Sequence, residues 1–307
     1  VTPALTPNPL LRRDIPAHRE LMDAGGQWVV EQGADPAAVV REAQQHDVAA
    51  LSVTGKDLSF LAELPELEHL RLGDAGDIGP AASLPRLRSF EAVGWDGGRI
   101  DATGWPRLQR FAVGAPPRGG GVESVYAHPT VEVLGLNRFA GTELTEVTAP
   151  RLRELRLSSP KLESLTGLEA HADTLEVLVL SGVPRLRDLS SLAAMTRLEV
   201  LGISSARGVT TLDEVAAARG LRLLDLGDQR GVESLGPLAG HPSLEYVLFQ
   251  KTADMSLAAL RDLPRLRAVG GYRSRDWTPD LSTFPDLVTF AEEDDVSRDY
   301  AVLRLRY

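Results

Sequence analysis

Cysteine is absent from all 307 residues. Disulfides, thiolate metal sites and cysteine nucleophiles are therefore excluded together. Lysine is almost absent too: Lys56, Lys161 and Lys251 are the only three among 33 basic residues, so the other 30 are arginine. With many Ala, Gly and Pro, that bias is the one expected of a GC-rich, bacterial genome. Aromatic residues make up only 5% of the chain, which leaves Leu, Val and Ala to fill any core. The net charge is −10 and no Lys/Arg block stands out. Phosphate binding is driven by clustered positive charge, so neither nucleic acid nor an anionic membrane is an expected partner. No apolar run reaches the length of a signal peptide or a membrane span, and the expectation is a soluble, cytoplasmic chain. Zinc-protease HExxH, P-loop, GxSxG and GxGxxG motifs are all missing.

What the chain does have is a repeat. An apolar residue, two variable residues, a second apolar, one variable and a third apolar recur twelve times, from Val48, Leu67, Leu87, Leu108, Val131, Leu152, Leu175, Leu198, Leu221, Leu244, Leu266 and Leu287. The spacings are 19, 20, 21, 23, 21, 23, 23, 23, 23, 22 and 21 residues. A fixed period of this size means that one small unit is stacked, and length then needs no ever-larger core.

Within a unit, positions three to seven read as a short strand. Alternation sends positions four and six inward and three, five and seven outward. The fourth position is Leu51, Leu70, Phe90, Phe111, Leu134, Leu155, Leu178, Leu201, Leu224, Val247, Val269 and Phe290, a continuous apolar spine. The return path repeats every three residues, as in Leu186, Leu189, Leu192, Met195 and Leu198. That is the 3₁₀ period rather than the α-helical one. Proline stands two residues before the first apolar position in eight units: Pro65, Pro85, Pro106, Pro129, Pro150, Pro242, Pro264 and Pro285. There it ends the turn and costs the following strand no hydrogen bond.

These units resemble leucine-rich repeats of the SDS22-like and internalin-like class, of about 22–23 residues. The resemblance covers about Val48 to Phe290. It implies a right-handed α/β solenoid, with a parallel sheet of about twelve short strands on the concave face and 3₁₀ or extended segments on the convex side. It also implies non-catalytic recognition of a protein partner through the concave face, with no cofactor and no metal. Regulation, inhibition or scaffolding of another protein would fit, including the wrapping of a target enzyme as an immunity protein wraps a toxin. Self-association as a homodimer is the alternative, and an enzyme ranks last. Secreted members often close their ends with disulfide-bonded caps, which this chain cannot form. The family's ninth-position Asn is also missing: Ala75, Trp95, Pro116, Phe139, Pro160, Val183, Ala206, Gln229 and Thr252 stand there.

The organisation expected from sequence is a tail at 1–13, an N-terminal cap at 14–47, the array at 48–272, and a divergent last repeat with a C-terminal cap at 273–307. In the first cap, Asp35 is placed to cap a helix starting at Pro36, with Val39, Val40 and Ala43 on its apolar face. In the last, Tyr300–Tyr307 alternates like an edge strand, with Ala301, Leu303 and Leu305 on one side. The PPRGGG stretch at 116–121 reads as an irregular insertion.

The outward positions are the candidate partner-binding residues. The first group is polar: His69, Arg71, Glu91, Arg110, Glu154 and Arg156. The second is apolar: Val177, Val179, Val200, Leu223, Tyr246, Leu248 and Tyr272, with Asp225 among them. Nothing in the repeat demands apolar side chains there, and a contiguous exposed apolar patch marks an interface. The competing reading has the C-terminal segment or a second copy covering that stripe. His128, His171 and His241 recur at nearly one repeat position in non-adjacent units, which favours a structural role over metal binding. The acidic run Glu292–Asp295 lacks EF-hand spacing.

Overall fold

The computed structural model describes residues 5–7, 26–31, 33–114, 120–227, 231–249, 252–271, 278–279, 283–284 and 288–290. The chain divides into two compact units. Unit 1 is Val1–Asn137 with Ala149–Arg151, and unit 2 is Arg138–Thr148 with Leu152–Tyr307.

Unit 1 contains strands β1 (Leu5–Pro7), β2 (Trp28–Val30), β3 (Ala50–Gly55), β4 (His69–Asp77), β5 (Ser89–Gly97), β6 (Arg110–Val113) and β7 (Val133–Leu136). They pair in chain order, β1 antiparallel to β2 and the rest parallel. Unit 2 contains β8 (Glu154–Ser158), β9 (Val177–Ser181), β10 (Val200–Ser204), β11 (Leu223–Leu226), β12 (Tyr246–Phe249), β13 (Ala268–Gly271) and β14 (Val288–Phe290), all parallel in chain order. Each of the twelve sequence repeats therefore supplies one strand, β3 to β14. The rung at β2 and the antiparallel β1 have no counterpart in the repeat pattern.

The spine forms as alternation dictates. Leu51, Phe90, Phe111, Leu134, Leu155, Leu178, Leu201, Leu224 and Val247 are all fully buried. Phe90 stacks on Phe111 and on Trp105, with centroids 5.7 and 4.9 Å apart. In many repeats the second position knits neighbours together through its carbonyl, which accepts two N–H groups from the next repeat. The Glu176 carbonyl takes Glu199 and Val200, that of Glu199 takes Arg222 and Leu223, and that of Arg222 takes Glu245 and Tyr246.

The return path is 3₁₀, as its three-residue period requires: Ser59–Glu63, Gly79–Ser83, Ser190–Ala194, Gly236–Leu238 and Ala258–Asp262 are examples. Many of these turns are opened by a side chain accepting the N–H two residues on, as with Asp57, Asp77, Asp101 and Asp188. Helix α1 (Pro36–Gln45) starts where expected; Asp35 accepts the Ala38 N–H at 3.0 Å, and Val39, Val40 and Ala43 are buried. A second, one-turn helix, α2 (Asp213–Ala216), replaces a 3₁₀ turn in one repeat.

The missing asparagine ladder is replaced by backbone bonds and burial. Ala75, Val183 and Ala206 are fully buried at the ninth position, and Trp95 and Phe139 nearly so. Phe139 N–H donates to the Ser158 carbonyl at 2.9 Å, and Gly182 N–H to that of Ser204 at 3.1 Å. Ser159 takes a role like that of the absent Asn: its Oγ donates to the Phe139 carbonyl and accepts from the N–H groups of Lys161 and Leu162.

Candidate binding face

The third, fifth and seventh positions project from the sheet opposite the spine. In unit 1 the fifth-position row is Ser52, Arg71, Glu91, Ala112 and Gly135, each in lateral register with the next. Arg71 and Glu91 stand side by side, Nε to Oε1 3.3 Å, with side chains 50% and 48% exposed. An ion pair that open contributes about 0–1 kcal/mol to stability. It leaves donors and acceptors facing solvent. His69 and Arg110 lie in the third-position row, partly buried, on either side of Ser89. Val93 is 58% exposed on the same face.

One polar group in this unit was not legible in sequence. Lys56 Nζ reaches Asp74 at 2.9 Å and Asp96 at 3.0 Å, three consecutive repeats joined by one side chain. The hydrogen bonds to those carboxylates raise the ammonium pKa. The signal, available only after the register is known, is that β4 and β5 run to nine residues and carry an Asp beyond the ordinary strand end.

The outward rows of unit 2 differ in kind. Val177 and Val179 are 4% exposed, Val200 3%, Leu223 1% and Leu248 8%, and Tyr246 packs against this cluster. The exposure expected of the stripe is therefore not found. Alternation fixes which side of the sheet a residue leaves from; it carries no information about what lies above it. Asp225 is partly buried and accepts the Gly227 N–H at 2.8 Å. Glu154 and Arg156 form an ion pair at 2.6 Å, with side chains only 15% and 22% exposed. Tyr272, the remaining candidate, lies outside the described residues, as do Glu292–Asp295 and the segment Tyr300–Tyr307.

Unit 2 also carries a charge ladder at the second repeat position. Glu176 receives Arg153 at 2.7 Å and Arg197 at 3.2 Å. Arg222 bridges Glu199 at 3.4 Å and Glu245 at 2.9 Å, and Glu245 also meets Arg267 at 3.4 Å. The Arg222 hydrogen bond, opposed by burial, holds the Glu245 carboxyl below its ordinary range. The charged residues at this position, Arg153, Glu176, Glu199, Arg222, Glu245 and Arg267, are visible in the sequence, and their pairing becomes plain once the register is known.

The three recurrent histidines are built into the convex turns. A ring N–H donates to a carbonyl of the preceding repeat: His171 Nε2 to Val147 at 2.8 Å and His241 Nε2 to Ala218 at 3.1 Å. In His128 and His241 the Nδ1 faces the N–H two residues on, at 3.5 and 3.4 Å. Such a ring is neutral, and burial is the main cause lowering all three pKa values. Among the described residues no group of three or more His, Asp or Glu is placed to hold a metal ion. No helix among them is long and apolar enough to cross a membrane.

No known family profile matches the sequence, and no curated protein does. Solved structures do. An internalin of Listeria monocytogenes, InlF, superposes with a TM-score of 0.56 at 16% identity, over 88% of this chain and 85% of that one. A chain of the yeast Rad7–Elc1 complex aligns at 15% identity over 91% and 92% of the two chains, with a TM-score of 0.42. A leucine-rich repeat protein of Leptospira interrogans aligns at 12% identity over 88% and 86%, with a TM-score of 0.29. The first, with the twelve repeat strands, shows the fold: a leucine-rich repeat solenoid.

Proposed function

We propose that this protein is a non-catalytic recognition scaffold that binds a protein partner through the outward face of its repeat sheet. The observation that carries the reading is the exposed polar row of unit 1. Arg71 and Glu91 stand half-exposed in register, flanked by the small residues Ser52, Ala112 and Gly135. Small neighbours leave room for a partner's side chains. The paired charges offer an arginine fork and a carboxylate, which suit a protein surface of mixed polarity better than a polyanion. His69 and Arg110 extend the same contact area, and on unit 2 Glu154 and Arg156 are taken by themselves as candidate contacts. The apolar group Val177, Val179, Val200, Leu223, Tyr246, Leu248 and Tyr272, with Asp225, contributes to partner binding only where it is uncovered. Regulation or inhibition of the bound protein is the finer form of the same proposal.

The half-exposed Arg71 and Glu91 side chains lack the desolvation that acid–base chemistry needs, which supports recognition over catalysis. Homodimerisation through the apolar stripe is the weaker reading, since the stripe is already buried in one chain. Affinity capture from native extract should enrich a partner with the parent protein and lose it with Arg71→Ala/Glu91→Ala. A loss of more than about 1 kcal/mol, some fivefold in affinity, is expected of an anchoring pair. Unchanged capture would remove this row from the interface.

A further inference from the structure

Val93 is the one large apolar side chain that stands exposed among the described residues, at 58%. It projects from β5 on the outward face of unit 1, and its exposure has a structural cause. Ala92 is in register with Val113, which sets Val93 beside Gly114, just beyond the end of β6. A Cβ on Gly114 would lie 2.0 Å from the Val93 carbonyl oxygen, so no larger residue fits there. Ala112 and Gly135, in register on β6 and β7, continue the same low ground. A Cβ on Gly135 would come within 3.0 Å of that of Ala112. The flat so formed is two strand spacings wide, about 10 Å, and one outward pair of residues long, about 7 Å. The Val93 side chain is its wall.

Charge on the other side of Val93 is unbalanced. Asp74 is in register with Gly94, the residue after Val93, and Asp96 follows two residues later on β5. Their side chains are 77% and 67% exposed, and the two share the single ammonium of Lys56. One carboxylate charge is left over from that pairing, whereas Arg71 and Glu91 cancel each other. We infer that the partner lays an aromatic ring on the flat beside Val93 and, within a few residues of it, presents a lysine or arginine to Asp74 and Asp96. This rests on the recognition role proposed above and adds the chemistry of the segment recognised. A planar ring rests its face on bare backbone and its edge against the valine methyl groups at once. A branched aliphatic side chain makes only the second contact. Aromatic rings so placed carry much of the affinity at protein interfaces. The cation follows from the leftover charge, which repels an acidic segment and speeds encounter with a basic one.

A random peptide library displayed on phage supplies the probe, panned on the full chain and counter-selected on Val93→Ser. Val93 is exposed, so this variant should keep the parent's far-UV spectrum and melting curve. Peptides retained by the parent and lost with the variant should pair Trp, Tyr or Phe with Lys or Arg. A synthetic peptide of that consensus should bind Val93→Ser at least about fivefold more weakly than the parent. Lys56→Ala removes the neutralising ammonium and should tighten the same peptide about two- to threefold at low salt, an effect that fades at about 1 M salt. Asp74→Asn should weaken it by a similar factor. Selected peptides that are aliphatic or acidic, an empty selection, or a Lys56→Ala variant that binds no more tightly would overturn the inference. None of those outcomes touches the recognition role itself, which is decided by capture of a cellular protein through Arg71 and Glu91.

Discussion

Replacing Leu223 by alanine separates a sealed stripe from an open one. Leu223 is 1% exposed and packs with Val177, Val179, Val200 and Tyr246. Truncating a leucine so placed costs about 2–5 kcal/mol, because the lost transfer energy is joined by a cavity that neighbours only partly fill. On an open face the same change stays within about 0.5 kcal/mol. In a stacked-repeat protein the loss falls on the unit that contains the rung. With a urea slope of roughly 2 kcal/mol per molar, the transition of unit 2 should move down by about 1–2.5 M. Val93→Ala, on a side chain 58% exposed in unit 1, is the matched control and should move its transition by no more than about 0.25 M. If Leu223→Ala behaved like Val93→Ala in circular-dichroism titrations, the stripe would be open and the reasoning built on its burial would be wrong.

Three further outcomes are expected. Burial lowers the pKa values of His128, His171 and His241 from 6.5, so the unfolded chain takes up their protons first; their contribution is complete above about pH 6.5 and declines as pH falls below it. Urea midpoints should drop between pH 7.5 and 5.5, by less in His171→Gln than in the parent, and a flat parent profile would contradict this. Asp35→Ala removes the cap of α1 and should cost about 1 kcal/mol in a thermal or urea melt; no change would mean the helix start is held by packing alone. Glu245, with a side chain 10% exposed between Arg222 and Arg267, should cost about 1–2 kcal/mol as Glu245→Gln, the lower part of the range for charge-assisted bonds because both arginines are partly exposed. The same pair weakens as pH falls through the carboxyl's lowered pKa, and a Glu245→Gln variant as stable as the parent at pH 7 would show the ladder to be ornamental.

The repeat register was readable residue by residue because stacking imposes one requirement at each position. Leu178 and Leu201 must be apolar to continue the spine, and Pro65 or Pro242 can stand only where no ladder N–H is needed. The helix at Pro36 was legible from Asp35, a local signal needing no partner. β1 and β2 were not: three-residue strands carry too few side chains for alternation to register, and β1 pairs with β2 across more than 20 residues. The candidate face was legible in direction only. The period shows that Arg71 and Val179 leave the same side of their sheets, yet one is half-exposed and the other buried, because cover comes from tertiary contacts that no local pattern records. Lys56 reaching Asp74 and Asp96 belongs to the same class, since its meaning depends on strand lengths set by neighbouring repeats.

The central claim is that the outward face of the repeat sheet contacts a protein. Placing a photo-crosslinking residue at position 91, on that face, and separately at Glu63, exposed on the convex side, tests it most directly. Irradiation in native extract should yield a discrete adduct from position 91 that is absent from position 63. Adducts from position 63 alone, or none from position 91 under conditions where a partner is captured, would contradict it.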